Sequence, residues 1–198
     1  MTDSEPTKFG PEFKKLWSAS AASNVADGLL RTSAPLLATT LTKDPFLISA
    51  VGALIMLPWL LFAIPIGGIV DRINRRHLLA IASTIRLTAA GILAVTVGFD
   101  LITLPIFFLA TFLFGVGEVL YDTTIQSMIP QVLKKSQLDK GNAQLQVTSV
   151  TLGEFIGAPL SGLLFAASIG LPFLFGSAGI FLAILLVLTI PKNYSIHD

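Results

Sequence analysis

Six long apolar stretches, separated by short polar segments, run through the sequence. Each has about twenty or more residues and few charges, which is what an α-helix needs to cross the hydrocarbon core of a bilayer. We therefore predict an all-α membrane protein with six transmembrane helices. The predicted spans are residues 16–41, 45–70, 78–99, 101–129, 144–168 and 171–190.

The predicted bundle covers residues 16–190. The segment before it, residues 1–15, is polar and has no short apolar core followed by a cleavage site, so we predict a cytoplasmic tail rather than a signal peptide. Residues 191–198 are predicted to begin a cytoplasmic tail or a central loop.

The cations lie almost entirely on one side of the predicted bundle. Lys43 is the one cation in a predicted outer loop, and Arg31 and Arg86 lie within spans. By the positive-inside rule, both ends of the bundle are expected in the cytoplasm, with the bundle in the plasma membrane. The ten cations on the predicted inner side are Lys8, Lys14, Lys15, Arg72, Arg75, Arg76, Lys134, Lys135, Lys140 and Lys192.

Composition narrows the classes of function. The chain is 53% hydrophobic and 13% charged, which is typical of an integral membrane protein, and its net charge of +1 gives no reason to expect nucleic acid. Cysteine is absent, and His77 and His197 have no neighbouring ligands in the sequence, so we expect no metal and no cofactor. No span pairs a nucleophile with a base, which disfavours an enzyme.

Six ionisable residues fall inside the predicted spans. On an insertion scale, six charges facing lipid would together cost about 15 to 20 kcal/mol, so they are expected to face the interior of the bundle or water. Static ion pairs that hold helices in register are the alternative to a transport role, and we leave it open for each residue. The six are Asp27, Arg31, Arg86, Glu118, Asp122 and Glu154.

The spacing of these residues suggests two groups. Asp27 and Arg31 are four residues apart, so they share a helix face and can pair, and Asn24 extends the same stripe. Glu118 and Asp122 also share a face. Two carboxylates so close together are typical of a proton-exchange site.

Two further residues are expected to join these groups. Arg86 is a candidate partner for the carboxylates in the fourth span, and Glu154, in the fifth, is a candidate for the same polar cavity. We expect the cavity to hold a small-molecule substrate and protons.

The loop after the second span resembles a known signature. Gly67, Asp71, Arg72, Arg75 and Arg76 match the pattern G-x-x-x-D-R-x-G-R-R, found between helices two and three of the major facilitator superfamily of transporters; an asparagine replaces the second glycine. The resemblance implies an all-helical transporter in which this loop latches the cytoplasmic side. A signal that merely fixes topology is the alternative.

The fifth span resembles the glycine and proline motif of exporters in the same superfamily. Gly153, Gly157, Pro159 and Gly162 carry the resemblance, although Ala158 separates the Gly-Pro pair. It implies a bendable helix in an antiporter, and ordinary helix packing is the alternative. Segments 24–28 and 118–122 are similar to the drug and siderophore efflux members.

Residues 65–68 and 159–162 share a Pro-x-x-Gly pattern at an offset of 94 residues, in predicted spans that run in opposite directions. Together with the six predicted spans, this favours two inverted three-helix repeats. The alternative is that proline and small residues are simply common in membrane helices.

Six helices resemble the N-terminal half of a twelve-helix carrier. The resemblance implies a proton-driven exporter in the lipid bilayer, completed by a second six-helix half that is a continuation of the chain, a second copy or a separate chain. The alternative is a half-length membrane protein that does not transport and binds a partner.

Overall fold

The computed structural model describes residues 9–189, which form helices joined by short connections. Lys8, Lys192, residue 190 of the sixth predicted span and the predicted tail 191–198 lie outside the described residues.

Seven α-helices follow one another along the described chain, and the α5–α6 junction is π-helical. Together with a short 3₁₀ turn, α5, the π-helix and α6 make one continuous rod, Lys135–Ala167, which we call the fifth rod. The elements are α1 Pro11–Leu41, α2 Pro45–Val70, α3 Arg75–Gly98, α4 Leu104–Val132, the 3₁₀ turn Lys135–Gln137, α5 Leu138–Ser149, the π-helix Val150–Gly157, α6 Ala158–Ala167 and α7 Leu171–Leu188.

Within residues 9–189, five helical segments are long and apolar enough to cross a membrane, namely α2, α3, α4, the fifth rod and α7. The lipid-facing character of α2 is plain from its surface, where Ile64 is 89% exposed and Leu60 is 81% exposed. Apolar side chains in such numbers on the outside of a bundle belong in hydrocarbon, not in water. The chain is a multi-pass membrane protein.

Helix α1 differs from the prediction in two ways. It begins at Pro11, five residues before the predicted span, because the proline starts the helix and Phe13 is buried in the core. It is also not among the five segments apolar enough to cross a membrane, so six spans are not established. The physical reason is that Asp27, Arg31 and many serine and threonine side chains make α1 more polar than the other membrane helices.

The segment 130–142, which lies between the fourth and fifth predicted spans, is mostly helical. Helix α4 continues to Val132, and the fifth rod begins after Lys134. Buried Leu133 packs on Gly141, where any Cβ would overlap the leucine side chain. This apolar contact holds the end of α4 close to the start of the fifth rod.

The helices pack in a definite order. Helix α4 lies against α3 and α2, α7 lies against α1 and α3, and α1 contacts the fifth rod through the π-helix and α6. Helix α1 therefore stands between α7 and the fifth rod.

The ends of several helices meet at one end of the bundle, which we call the basic end. There Lys15 Nζ of α1 donates to the carbonyl of Thr189 at 3.0 Å, and Arg76 of α3 donates to the carbonyl of Leu188 at 2.7 Å. Both cations satisfy carbonyls at the C-terminal end of α7, where the helix dipole is negative. The described cations of the basic end are Lys14, Lys15, Arg72, Arg75, Arg76, Lys134, Lys135 and Lys140.

Candidate transport site

A polar cavity lies between α1, α4 and the fifth rod. Its inner part is a pocket of about 110 Å³. It adjoins a groove of about 740 Å³, with which it shares Asn24, Asp122 and Ser149. Five of the six ionisable residues predicted inside spans line the inner pocket, Arg86 being the exception. The lining residues are Asn24, Asp27, Gly28, Arg31, Glu118, Asp122, Ser149, Gly153 and Glu154.

Arg31 and Glu118 connect α1 to α4 across the wall of this cavity. The Nη2 atom of Arg31 lies 2.5 Å from Oε1 of Glu118, and the arginine side chain is 37% exposed whereas that of the glutamate is 3% exposed. The second oxygen, Oε2, is buried and has no hydrogen-bond partner within residues 9–189. Glu118 therefore has one buried carboxylate oxygen that accepts no hydrogen bond from the described residues.

A second ion pair, between Asp27 and Arg86, connects α1 to α3. Arg86 also donates to Ser23 Oγ at 2.8 Å, and its guanidinium lies 5.2 Å from the centroid of Phe114 and 4.9 Å from that of Tyr121. These contacts enclose a residue with no measurable exposure. The pair is built into the core, where cation–π contact and hydrogen bonds offset the cost of desolvation.

The pairing differs from the prediction. Asp27 and Arg31, expected to be able to pair with each other, pair instead with Arg86 and Glu118, and Arg86 is not the partner of the fourth-span carboxylates. The reason is that α1 contacts several helices, so positions one turn apart meet different neighbours. Spacing along one helix identifies a shared face but not which helix lies opposite each residue.

The two remaining carboxylates of the cavity carry no ion pair within the described chain. Asp122 is half-buried one turn beyond Glu118 on α4, and Glu154 is exposed on the π-helix. Both line the inner pocket, as the sequence suggested for Glu154. They leave the cavity with uncompensated negative charge.

Helix α1 touches the π-helix backbone to backbone. A Cβ on Gly28 would overlap the carbonyl of Gly153, and one on Gly157 would lie 2.9 Å from the carbonyl oxygen of Val25. One turn further, Ser161 Oγ donates to the carbonyl of Leu29 at 2.8 Å. Small residues allow this approach, as is common between membrane helices.

The four residues of the predicted glycine and proline motif therefore lie in two different surroundings. Gly153 and Gly157 lie in the contact, whereas Pro159 is exposed and a Cβ on Gly162 would meet nothing within 4 Å. Sequence reasoning missed Ser161 as a contact residue. The signal was available, because residues 153, 157 and 161 form a four-residue repeat of small side chains.

The predicted gating loop lies at the basic end. Asp71 ends α2 with its side chain exposed, and it forms no ion pair with the arginines or with any other described residue. A Cβ on Gly67 would meet nothing within 4 Å, so no helix approaches it closely in the described part of the chain. Arg72 is exposed, Arg75 is half-buried, and Arg76 binds the end of α7.

The described residues contain no cluster of three or more potential metal ligands. A membrane bundle that keeps ionisable side chains around an internal cavity is the arrangement of a membrane transporter. A family model described as Major Facilitator Superfamily matches residues 16–195, and the chain belongs to this superfamily. The chain therefore belongs to a class of membrane transporters. No curated protein matches the sequence significantly.

Proposed function

We propose that the chain is the N-terminal six-helix half of a proton-coupled exporter of small molecules, of the drug and siderophore efflux branch. The observation that carries the proposal is the cavity wall, where the buried, partly unpaired Glu118 stands one turn from Asp122 and opposite Arg31. Charged groups in such a place mark the pathway of an ion or a substrate.

In this proposal α1 also crosses the membrane, which makes six spans with the five segments described above. Its 31 residues make a helix of about 46 Å, which is longer than the hydrocarbon core is thick. Its two central charges do not face lipid, because Asp27 pairs with Arg86 and Arg31 with Glu118. The six spans then form two inverted three-helix repeats, in which α1 and α4, the helices that carry the paired carboxylates, correspond.

The chemistry follows from the two ion pairs. Glu118 and Asp122 exchange protons with the cavity, and a proton on Glu118 removes the charge that holds Arg31. Helix α1 is then less firmly tied to α4 at the cavity wall. The buried Asp27–Arg86 pair keeps α1 linked to α3 throughout, so the two pairs have different roles.

The second half of the carrier closes the open side of the groove. Gln126, Asn142 and Gln146 line this groove and are exposed, so the polar surface faces outward from the described bundle. A continuation of the chain, a second copy or a separate six-helix chain supplies the opposite wall. Alternating access needs both walls around one site.

The basic end faces the cytoplasm of the cell, and the bundle lies in the plasma membrane. Eight described cations gather at this end, and Lys43 is the one cation of residues 9–189 at the opposite end. Asp71, Arg72, Arg75 and Arg76 gate the cytoplasmic side against the second half. The close α1–π-helix contact through Gly153 and Gly157 supplies the bendable element of an exporter.

Everted membrane vesicles test this function. We expect that solutes added to energised vesicles containing the protein release protons from the lumen, measured as dequenching of a pH-sensitive dye, for at least one solute of a charge-balanced panel. Vesicles that lack the protein are the control. No solute-dependent proton release beyond that control would contradict the proposal.

The open groove also favours a second candidate, a membrane protein that binds a partner through this surface without transport. The exposed amides of Gln126, Asn142 and Gln146 are suited to hydrogen bonds with another helix. A stable complex, purified with the chain from membranes that show no solute-dependent proton release, would favour this candidate.

A further inference from the structure

We infer that the cavity takes a hydrophilic organic cation, an amine that also carries hydroxyl or amide groups. The inference rests on the proposed function, because it names the solute class for the same cavity. Three independent features carry it: the charge balance, an unpaired buried oxygen and the polarity of the walls.

The charge balance of the inner pocket is negative. Its lining contains four carboxylates and one guanidinium, and Arg86 behind Asp27 brings a second guanidinium. Two cations against four anions leave a formal charge of −2, which resides on Asp122 and Glu154 because the other two carboxylates are paired. Such a site attracts a cation and repels an anion.

The pocket also offers a buried acceptor. Glu118 is 2% exposed and lines the pocket, and its Oε2 has no hydrogen-bond partner among the residues that the structure describes. A carboxylate oxygen accepts but does not donate when it is ionised. An ammonium group brings three donors and a positive charge, which suit the charge of Asp122 and, after a rotation of the Glu118 side chain, its unpaired oxygen one turn away.

The walls favour a hydrophilic cation over a lipophilic one. No aromatic side chain of the described residues lines the pocket or the groove, although aromatic faces are what bind quaternary and other lipophilic cations. Amides and hydroxyls dominate instead. They are Ser20, Asn24, Gln126, Asn142, Gln146 and Ser149.

The test is a binding measurement on the protein in nanodiscs with four probes. Radiolabelled glucosamine is the cation, N-acetylglucosamine its neutral counterpart, glucuronate the anion of similar size, and tetraphenylphosphonium the lipophilic cation. We expect glucosamine to bind at millimolar concentration and to be displaced by none of the other three. The first three probes share a hydroxylated sugar ring and differ in the charge of one substituent.

Substitutions of the pocket carboxylates test whether glucosamine binds in this pocket. Asp122→Asn and Glu154→Gln are each expected to weaken glucosamine binding about tenfold, which corresponds to about 1.4 kcal/mol. Asp139→Asn is the matched control, because Asp139 is an exposed carboxylate on α5 outside the pocket and the groove. Its affinity is expected to equal that of the parent protein.

The inference is overturned if no glucosamine binds, or if N-acetylglucosamine, glucuronate or tetraphenylphosphonium binds as tightly. It is also overturned if neither cavity variant weakens binding. The binding assay needs no proton gradient, so the two proposals fail separately. Glucosamine binding without solute-dependent proton release would contradict proton-coupled export alone, and proton release evoked only by neutral or anionic solutes would contradict the cation class alone.

Discussion

Arg31 on α1 and Glu118 on α4 form an ion pair of 2.5 Å at the wall of a polar cavity. One turn earlier on α1, Asp27 forms the other pair with Arg86, in the interior between α1 and α3. The first pair borders a space that a solute can enter, whereas the second is enclosed by protein. This difference in surroundings leads to different expectations for two otherwise similar substitutions.

Removing one partner of the enclosed pair is expected to damage the fold. In Asp27→Asn the guanidinium of Arg86 stays buried without its counter-charge, which costs about 3–5 kcal/mol for a buried pair. Thermal unfolding in detergent and the level of protein in the membrane measure the effect. Glu118→Gln is the matched control and is expected to lose much less, because Arg31 is 37% exposed and reaches water. Equal stability of Asp27→Asn and the parent protein would contradict this assignment.

The contact between α1 and the π-helix is expected to tolerate no side chain at Gly28. Gly28→Ala places a methyl group on the carbonyl of Gly153, so the helices must move apart, at a cost of about 1–3 kcal/mol for overpacking. Thermal unfolding reports the loss. Gly52→Ala makes the same chemical change on α2 at a position with nothing within 4 Å, and there we expect no loss. The same unfolding temperature for both variants would argue against the close approach.

Asp100 is expected to be replaceable with a gain in stability. Its φ of 56° puts it in the left-handed region, and the bonds Leu101 N to Thr96 O and Asp100 N to Val97 O make the Schellman cap at the end of α3. Asp100→Gly relieves the left-handed strain and removes an anion from a helix C-terminus, for about 1 kcal/mol. We expect Asp100→Gly to unfold at a higher temperature than the parent protein. A lower one would mean that the aspartate makes a favourable contact in the membrane.

Asp71→Asn is expected to impair transport and leave the fold intact. The side chain is exposed and has no ion pair within residues 9–189, so its loss removes no interaction of the described bundle. The proposed gate against a second half does need the charge. Initial transport rates, normalised to the amount of protein in the membrane, test this. A normal rate would mean that the loop only fixes topology.

Periodicity and length predicted most of the fold. The predicted boundaries of α2 are the observed ones, and those of α3 and α4 lie within three residues of the prediction, because the length of a span follows from its run of apolar residues. The pairing of charges could not be predicted in the same way. Which helix faces Asp27 or Arg31 depends on the rotation of α1 among its neighbours, and no local pattern records that rotation.

The π-helix could not be predicted from the sequence either. The sequence shows small residues in the fifth rod, but it does not show that Gly28 of α1 meets the carbonyl of Gly153 there, within the π-helical backbone of 150–157. Ser161 and Ser23 have their roles for the same reason, since each bonds to a group on another helix. Contacts between helices that are far apart in the sequence decide these details.

The most direct test of the central claim compares two assays on Glu118→Gln in reconstituted liposomes. One follows exchange of labelled for unlabelled solute at equal pH, which needs only a working cavity, and the other follows accumulation driven by a pH gradient, which needs proton coupling. The solute is one that evokes proton release in everted vesicles. We predict that the variant keeps exchange, because the amide oxygen of glutamine still accepts a hydrogen bond from the solute, and that it loses accumulation. Undiminished accumulation by Glu118→Gln would contradict the account, because the proton would then be carried elsewhere.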